Sequence, residues 1–162
     1  RVLAQITYYF WSYLRVTDDA AHKDAKIGYS VPTGNFGDIL AGFYAKQIGL
    51  PVGKLIVATN ENDILHRFFT KGEYHRENIQ KTISPSMDIC VSSNFERYLF
   101  FLAGNDTAKL AGWMKTFEET KKLSPPARDR SGRPKGTMGP MGPHVAPWGP
   151  TMPWICFVFS AV

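Results

Sequence analysis

Apolar residues recur at Leu3, Ile6, Phe10, Tyr13 and Leu14, the spacing of one helical face, so the pattern predicts a helix over 1–16. Tyr8, Tyr9 and Trp11 widen that face, and aromatics at this density are more often packing than a cofactor box. Thr17–Lys26 is polar and charged, hence a loop or helix end. At Tyr29–Thr33 the chain becomes extended, and a tight turn, Gly34-Asn35-Phe36-Gly37-Asp38, follows. A helix is expected from Asp38 to Ile48, stopped by Gly49 and by Pro51. Leu55-Ile56-Val57-Ala58 is apolar on both faces, the signature of a buried parallel strand. Strand, crossover helix and strand make one βαβ unit, so the class is α/β with a parallel sheet. Ala41, Gly42 and Ala45 are small enough to let the crossover helix lie close to that sheet.

Further on, Ile64, Leu65, Phe68 and Phe69 give a second helix an apolar face, closed by Gly72 and Glu73. Between strand and helix stands Thr59-Asn60-Glu61-Asn62-Asp63. Asn60 is a candidate helix cap, but these side chains also lie where ligands sit in open parallel sheets, beyond the carboxyl ends of the strands. Thr82–Asp88 is turn-like around Pro85, and Ser84, Ser86 and Asp88 could bond local backbone or meet a substrate. Ile89-Cys90-Val91 is a short strand candidate. Ser93-Asn94-Phe95-Glu96 matches a capping box opening a helix to Leu102, and Lys109–Lys122 is an amphipathic helix with Leu110, Trp113, Met114 and Phe117 on one side.

Composition is ordinary for a globular chain of 162 residues, 44% apolar and 20% charged. The net charge of +5 is uneven: residues 124–162 hold Arg128, Arg130, Arg133 and Lys135 against Asp129 alone. The basic character therefore belongs largely to the tail and argues against a nucleic-acid surface. Eight of the eleven prolines lie in that tail, without a collagen period, so no packed structure is expected there. The tail suggests a wrong reading frame or retained intron; a dedicated binding tail is the alternative. Its apolar end is too short to span a bilayer, which takes roughly 20 residues. Cys90 and Cys156 are far apart, so neither a disulfide framework nor a zinc site is expected, and His22, His66 and His75 form no ligand set. A reducing, cytoplasmic setting and no membrane partner fit. No signal peptide is recognisable, and without an initiating Met the chain is expected to be an internal piece of a longer one.

The candidate chemistry is in the glycine turn. Gly34 and Gly37 lack a Cβ, so the backbone is free to take positive φ and to be approached closely. The helix behind them presents unpaired N–H groups and the positive end of its dipole, a combination that favours an anion. The alternative is a turn that only reverses the chain. The spacing matches neither G-x-G-x-x-G nor the nucleotide-binding G-x-x-x-x-G-K-[ST] loop. Asp38 adds a negative charge nearby, so its carboxylate is expected to point away or to serve the helix start.

The run Ser30 to Phe69, SVPTGNFGDILAGFYAKQIGLPVGKLIVATNENDILHRFF, resembles threonine synthase, in particular its fungal branch. Leu3–Phe10, Ser84–Asp88 and Ser92–Arg97 support the resemblance, which covers residues 1–126 and fails beyond. It implies part of a fold-type II pyridoxal-phosphate enzyme: 1–123 a fragment of the α/β cofactor-binding region, 124–162 an unrelated, unstructured Pro/Gly-rich tail. It implies pyridoxal 5'-phosphate as cofactor, with Gly34, Asn35, Phe36, Gly37 and Asp38 holding its phosphate. The family converts O-phosphohomoserine and water to threonine and phosphate. Its Schiff-base lysine lies well upstream of the turn; Lys23 and Lys26 do not match that motif, and Lys46 and Lys54 lie on or after the helix, away from the phosphate pole, so no catalytic residue is expected here and the isolated chain should be inactive. The alternative is a non-catalytic α/β interaction module with a basic proline-rich tail. Without its missing strands the chain is expected to be poorly soluble.

Overall fold

The computed structural model describes residues 1–19, 22–125 and 155–159. Helix α1 (Val2–Thr17) leads to strand β1 (Ile27–Pro32), helix α2 (Gly37–Gln47) and strand β2 (Val52–Thr59). Strands β1 and β2 are parallel, with Tyr29 opposite Leu55 and Val31 opposite Val57. Pro32 has no N–H to donate, and the ladder resumes at Thr33, whose amide reaches Ala58 O at 2.8 Å. The crossover unit expected from the apolar pattern is therefore present. Gly42 is where it closes: a Cβ there would come within 2.7 Å of the Tyr9 ring and 2.9 Å of Leu55 Cδ2. The small residue thus admits α1 as well as the sheet.

Helix α3 (Ile64–Lys71) ends at Gly72 in the left-handed conformation. It is followed by β3 (Tyr74–His75), a 3₁₀ turn (Pro85–Met87), α4 (Phe95–Leu102), α5 (Thr107–Thr120) and β4 (Lys122–Leu123), which pairs antiparallel with β3. Ile89–Val91 is irregular chain rather than the expected strand. Its first amide is taken up locally, Ile89 N donating to Met87 O at 2.8 Å. The aromatic face of α1 divides: Tyr9 is buried, while Tyr8 and Trp11 stay exposed.

The expected tail lies almost wholly outside the described residues. Its Ile155–Phe159 stretch is described, and it is placed as strand β5, parallel to β2, giving a three-stranded sheet in the order β1-β2-β5. A run of isoleucine, valine and phenylalanine has the composition strands favour, and it covers what would be an open edge of β2. The proline count that led to the expectation of no element says nothing against these five residues.

The core is aromatic. Phe95 stacks on Tyr74 at 4.8 Å between centroids and meets Phe68 edge-on at 4.8 Å, while Phe36 contacts Phe95 at 5.1 Å and Tyr98 at 5.5 Å. Through Phe36 this cluster reaches into the glycine turn. The core and the candidate site are one construction.

Candidate functional site

The turn differs from its expected geometry in one respect. The residue with positive φ is Phe36, at 63°, and neither Gly34 nor Gly37 is left-handed. A left-handed non-glycine residue costs on the order of 1–2 kcal/mol, and burying a phenylalanine ring contributes about 1.5–3 kcal/mol, so the core can hold the strained backbone. Gly34 serves close approach instead, whereas at Gly37 a Cβ would meet its neighbours at ordinary contact distance. A Cβ on Gly34 would lie 2.7 Å from Ile89 Cδ1 and 3.5 Å from Ser86 O; on Gly37 it would lie 3.4 Å from Asn94 Nδ2 and 3.5 Å from Gln5 Oε1.

The turn's carbonyls are occupied. Ser92 Oγ donates to Gly34 O, Asn94 N donates to Asn35 O at 3.1 Å with Asn94 Nδ2 adding a second bond at 3.2 Å, and Leu40 N takes Phe36 O at 3.2 Å. Its amides are not: among the described residues, those of Gly34 to Asp38 donate to no protein acceptor. The unpaired donors stand where α2 begins. Beside them is a cavity of about 220 Å³, walled by the turn, by Gln5, by Ser86 and Met87, and by Ser93 and Asn94. At about 30 Å³ per water it has room for a phosphate group with solvent. Of the lysines and arginines among the described residues, Arg1 alone lines it.

Asp38 is half-buried, one carboxylate oxygen has no partner, and burial pushes its carboxyl above the usual carboxylate range. Tyr9 from α1 donates its hydroxyl to Asp38 O at 3.0 Å, and burial raises that phenol above the usual tyrosine range. The carboxylate makes no bond to an amide of the helix start, so it does not act as a cap.

The other candidates are brought together, but with one another. Asp88 accepts from Thr82 N at 2.9 Å, Thr82 Oγ1 at 2.7 Å, Asn60 Nδ2 at 2.8 Å and Asn62 Nδ2 at 3.1 Å. Donation by the Thr82 backbone amide, first of these, holds the Asp88 carboxyl below its ordinary range. Asn60 does not cap α3; its Oδ1 accepts from Asn62 N at 3.0 Å, while the cap position falls to Asp63, whose carboxylate pairs with Arg67 Nε at 2.8 Å. Thr59 is buried and Ser84 is exposed, and of Thr59, Asn60, Asn62, Ser84, Ser86 and Asp88 only Ser86 lines the cavity. The capping box is also displaced. Asn94 occupies the cap of α4 without a side-chain bond, and Ser93 Oγ faces Asn35 Oδ1 at 3.4 Å.

Gln5, Ser93 and Asn94 were not anticipated as site residues. A signal existed for Gln5: it lies three residues after Val2 and four before Tyr9, the two buried positions of α1, so a polar group on that arc needs a reason. A larger groove of about 620 Å³ runs along α1 and β1, but tyrosines, Trp11 and Val31 line it and Asp38 is its one charged residue. No set of His, Cys, Asp and Glu that could hold a metal occurs among the described residues, and none of their helices is long and apolar enough to cross a membrane.

No protein-family model matches the chain. Threonine synthase of Eremothecium gossypii is 60% identical over 110 residues, which is 67% of this chain and 21% of that protein. Threonine synthase of Pseudomonas aeruginosa is 51% identical over 124 residues, 76% of this chain and 26% of that protein. Among solved structures, PLP-bound threonine synthase from Brucella melitensis superposes with a TM-score of 0.80 at 35% identity, over 99% of this chain and 30% of its own. Yeast threonine synthase gives the same TM-score of 0.80 at 37% identity. The chain spans about a fifth to a quarter of the length of the curated relatives it matches.

Proposed function

Because the chain belongs to the threonine synthase family and spans a segment of it, we propose that Gly34–Asp38 is the cradle for the phosphate of pyridoxal 5'-phosphate. The observation that carries this reading is the one-sided bonding of the turn, with carbonyls held by Ser92, Asn94 and Leu40 and amides without acceptors. The residues present fit the group. Gly34 and Gly37 keep side chains out of the way, the dipole of α2 points at the cavity, and Gln5 with Asn94 flank it. Bound there, the cofactor would supply the electron sink for carbanion chemistry. The chain's part is to fix the phosphate end and thereby orient the ring.

The complete protein's reaction, O-phosphohomoserine and water to threonine and phosphate, and its place in threonine biosynthesis in the cytoplasm, belong to this proposal. So does a boundary near residue 123, which the 64–78% of the chain matched by its curated relatives supports. The isolated chain is inactive in this reading. Lys46 is turned to Val52 O and Gly53 O, 2.7 and 3.1 Å away at the amino end of β2, opposite the cavity, and no lysine lines the cavity among the described residues. An interaction module is not favoured, since the named relatives are threonine synthases.

The test is a titration of the chain with pyridoxal phosphate and with pyridoxal, followed by borohydride. The phosphorylated compound is expected to bind more tightly, inorganic phosphate to compete, and no single lysine to be fixed stoichiometrically. Equal binding of the two compounds overturns the cradle; one stoichiometric adduct at a single lysine overturns the inactivity.

A further inference from the structure

The Asp88 carboxylate accepts four hydrogen bonds, yet it does not line the cavity. Its donors come from two places. Asn60 and Asn62 follow β2, whereas Thr82 belongs to the same loop as Asp88 itself. Asn62 adds two further ties to that loop, Nδ2 to Gln80 O at 2.9 Å and Gln80 N to Oδ1 at 2.9 Å. The carboxylate thus fastens residues 80–88 to the carboxyl end of the sheet. Within that loop the Pro85–Met87 turn carries Ser86 and Met87 to the cavity, and Ile89 lies against Gly34.

We propose that Asp88 is a positioning residue of the anion site, whose network with Asn60, Asn62 and Thr82 holds the Ser86 wall against the amide cradle. The proposal rests on the cradle reading above. An ionised carboxylate is what the position requires, because all four groups around it are donors and hydrogen bonds to a charged acceptor are roughly twice as strong as neutral ones. Asparagine has nearly the same shape but offers one acceptor oxygen and turns a second donor toward donors. The wall would then be free to leave the cradle.

The experiment measures inorganic phosphate binding by the full chain, together with hydrogen exchange at the Thr82 amide, which reports the clamp without any ligand. Asp88→Asn is expected to weaken phosphate about tenfold and to speed Thr82 exchange. Asp106→Asn, at the cap of α5, is expected to change neither. The double exchange Asn60→Asp with Asp88→Asn rebuilds a carboxylate–amide pair across the 2.8 Å contact and is expected to restore both. Where Asp88→Asn fails to fold, Thr82→Val takes its place, with an expected loss of about threefold; an unchanged affinity overturns the proposal. Faster Thr82 exchange with unchanged phosphate affinity overturns the proposal and leaves the cradle standing. Failure of the unsubstituted chain to bind phosphate overturns the cradle reading and the proposal with it.

Discussion

Two carboxylates bear on the same small cavity, Asp38 lining it and Asp88 set in the loop that carries Ser86 to it, and their surroundings treat them oppositely. Asp88 accepts four hydrogen bonds from neutral donors and is held below the ordinary carboxylate range. Asp38 has a buried oxygen with no partner and is held above it. The difference lies in where the protein has placed its N–H groups. Loop 80–88 directs donors to its own carboxylate, whereas the turn at 34–38 satisfies its carbonyls and leaves its amides without a protein acceptor. A wall that is internally complete can position; a wall that is internally incomplete can bind.

Both walls rest on a region that contributes stability alone, which gives the largest expected effect and a control. Arg67 is buried between Asp63 and Glu77, 2.8 and 2.9 Å away, with His75 against its guanidinium. Arg67→Met should cost about 2 kcal/mol in urea unfolding, below the roughly 3–5 kcal/mol of a fully buried broken pair because Glu77 is exposed, and leave phosphate affinity within about twofold. A large loss of affinity would break the division between binding walls and stabilising base.

Gly34 is where the walls touch. Gly34→Ala puts a Cβ 2.7 Å from Ile89 Cδ1, so the end of that side chain must turn aside, and phosphate affinity measured by calorimetry should fall about threefold. Asp38→Asn should act in the opposite direction to Asp88→Asn, tightening phosphate about threefold at neutral pH by removing a nearby negative charge. Equal signs for the two asparagine variants would dissolve the contrast.

The smallest effect is in pH. A carboxyl raised by folding contributes stability below its unfolded value, near 4, and that stability is lost as pH rises through the higher folded value. Asp38→Asn should therefore raise the thermal midpoint at pH 7 and lose this advantage toward pH 4. Asp88, being depressed, contributes above its unfolded value and loses that contribution only as pH falls through its lower folded value. Melting curves of the two variants between pH 3 and 7 should diverge accordingly.

The βαβ unit, the stop at Gly49 and the left-handed Gly72 were legible, because each follows from a period or from a glycine acting on its own neighbours. Helix α5 was legible for the same reason, with Leu110, Trp113, Met114 and Phe117 all packed toward the core. What was not legible depended on partners distant in sequence. Ser93 has the spacing of a cap but turns to Asn35, 58 residues earlier, and Asn60 turns to Asp88, 28 residues later. A local rule cannot see a better acceptor that only folding delivers. The resemblance singled out the turn as a candidate; only the fold shows that its left-handed residue is the phenylalanine.

That phenylalanine has a consequence for how the segment can change over generations. The backbone at residue 36 would be easiest for glycine, while the ring cluster around Phe95 and Tyr98 has a place only for a large side chain. Either demand alone would admit several replacements, but the two together leave only another large aromatic ring that bears the left-handed backbone. Change at this position is therefore tied to the cluster, so the aim of the amides is inherited along with the packing of the interior.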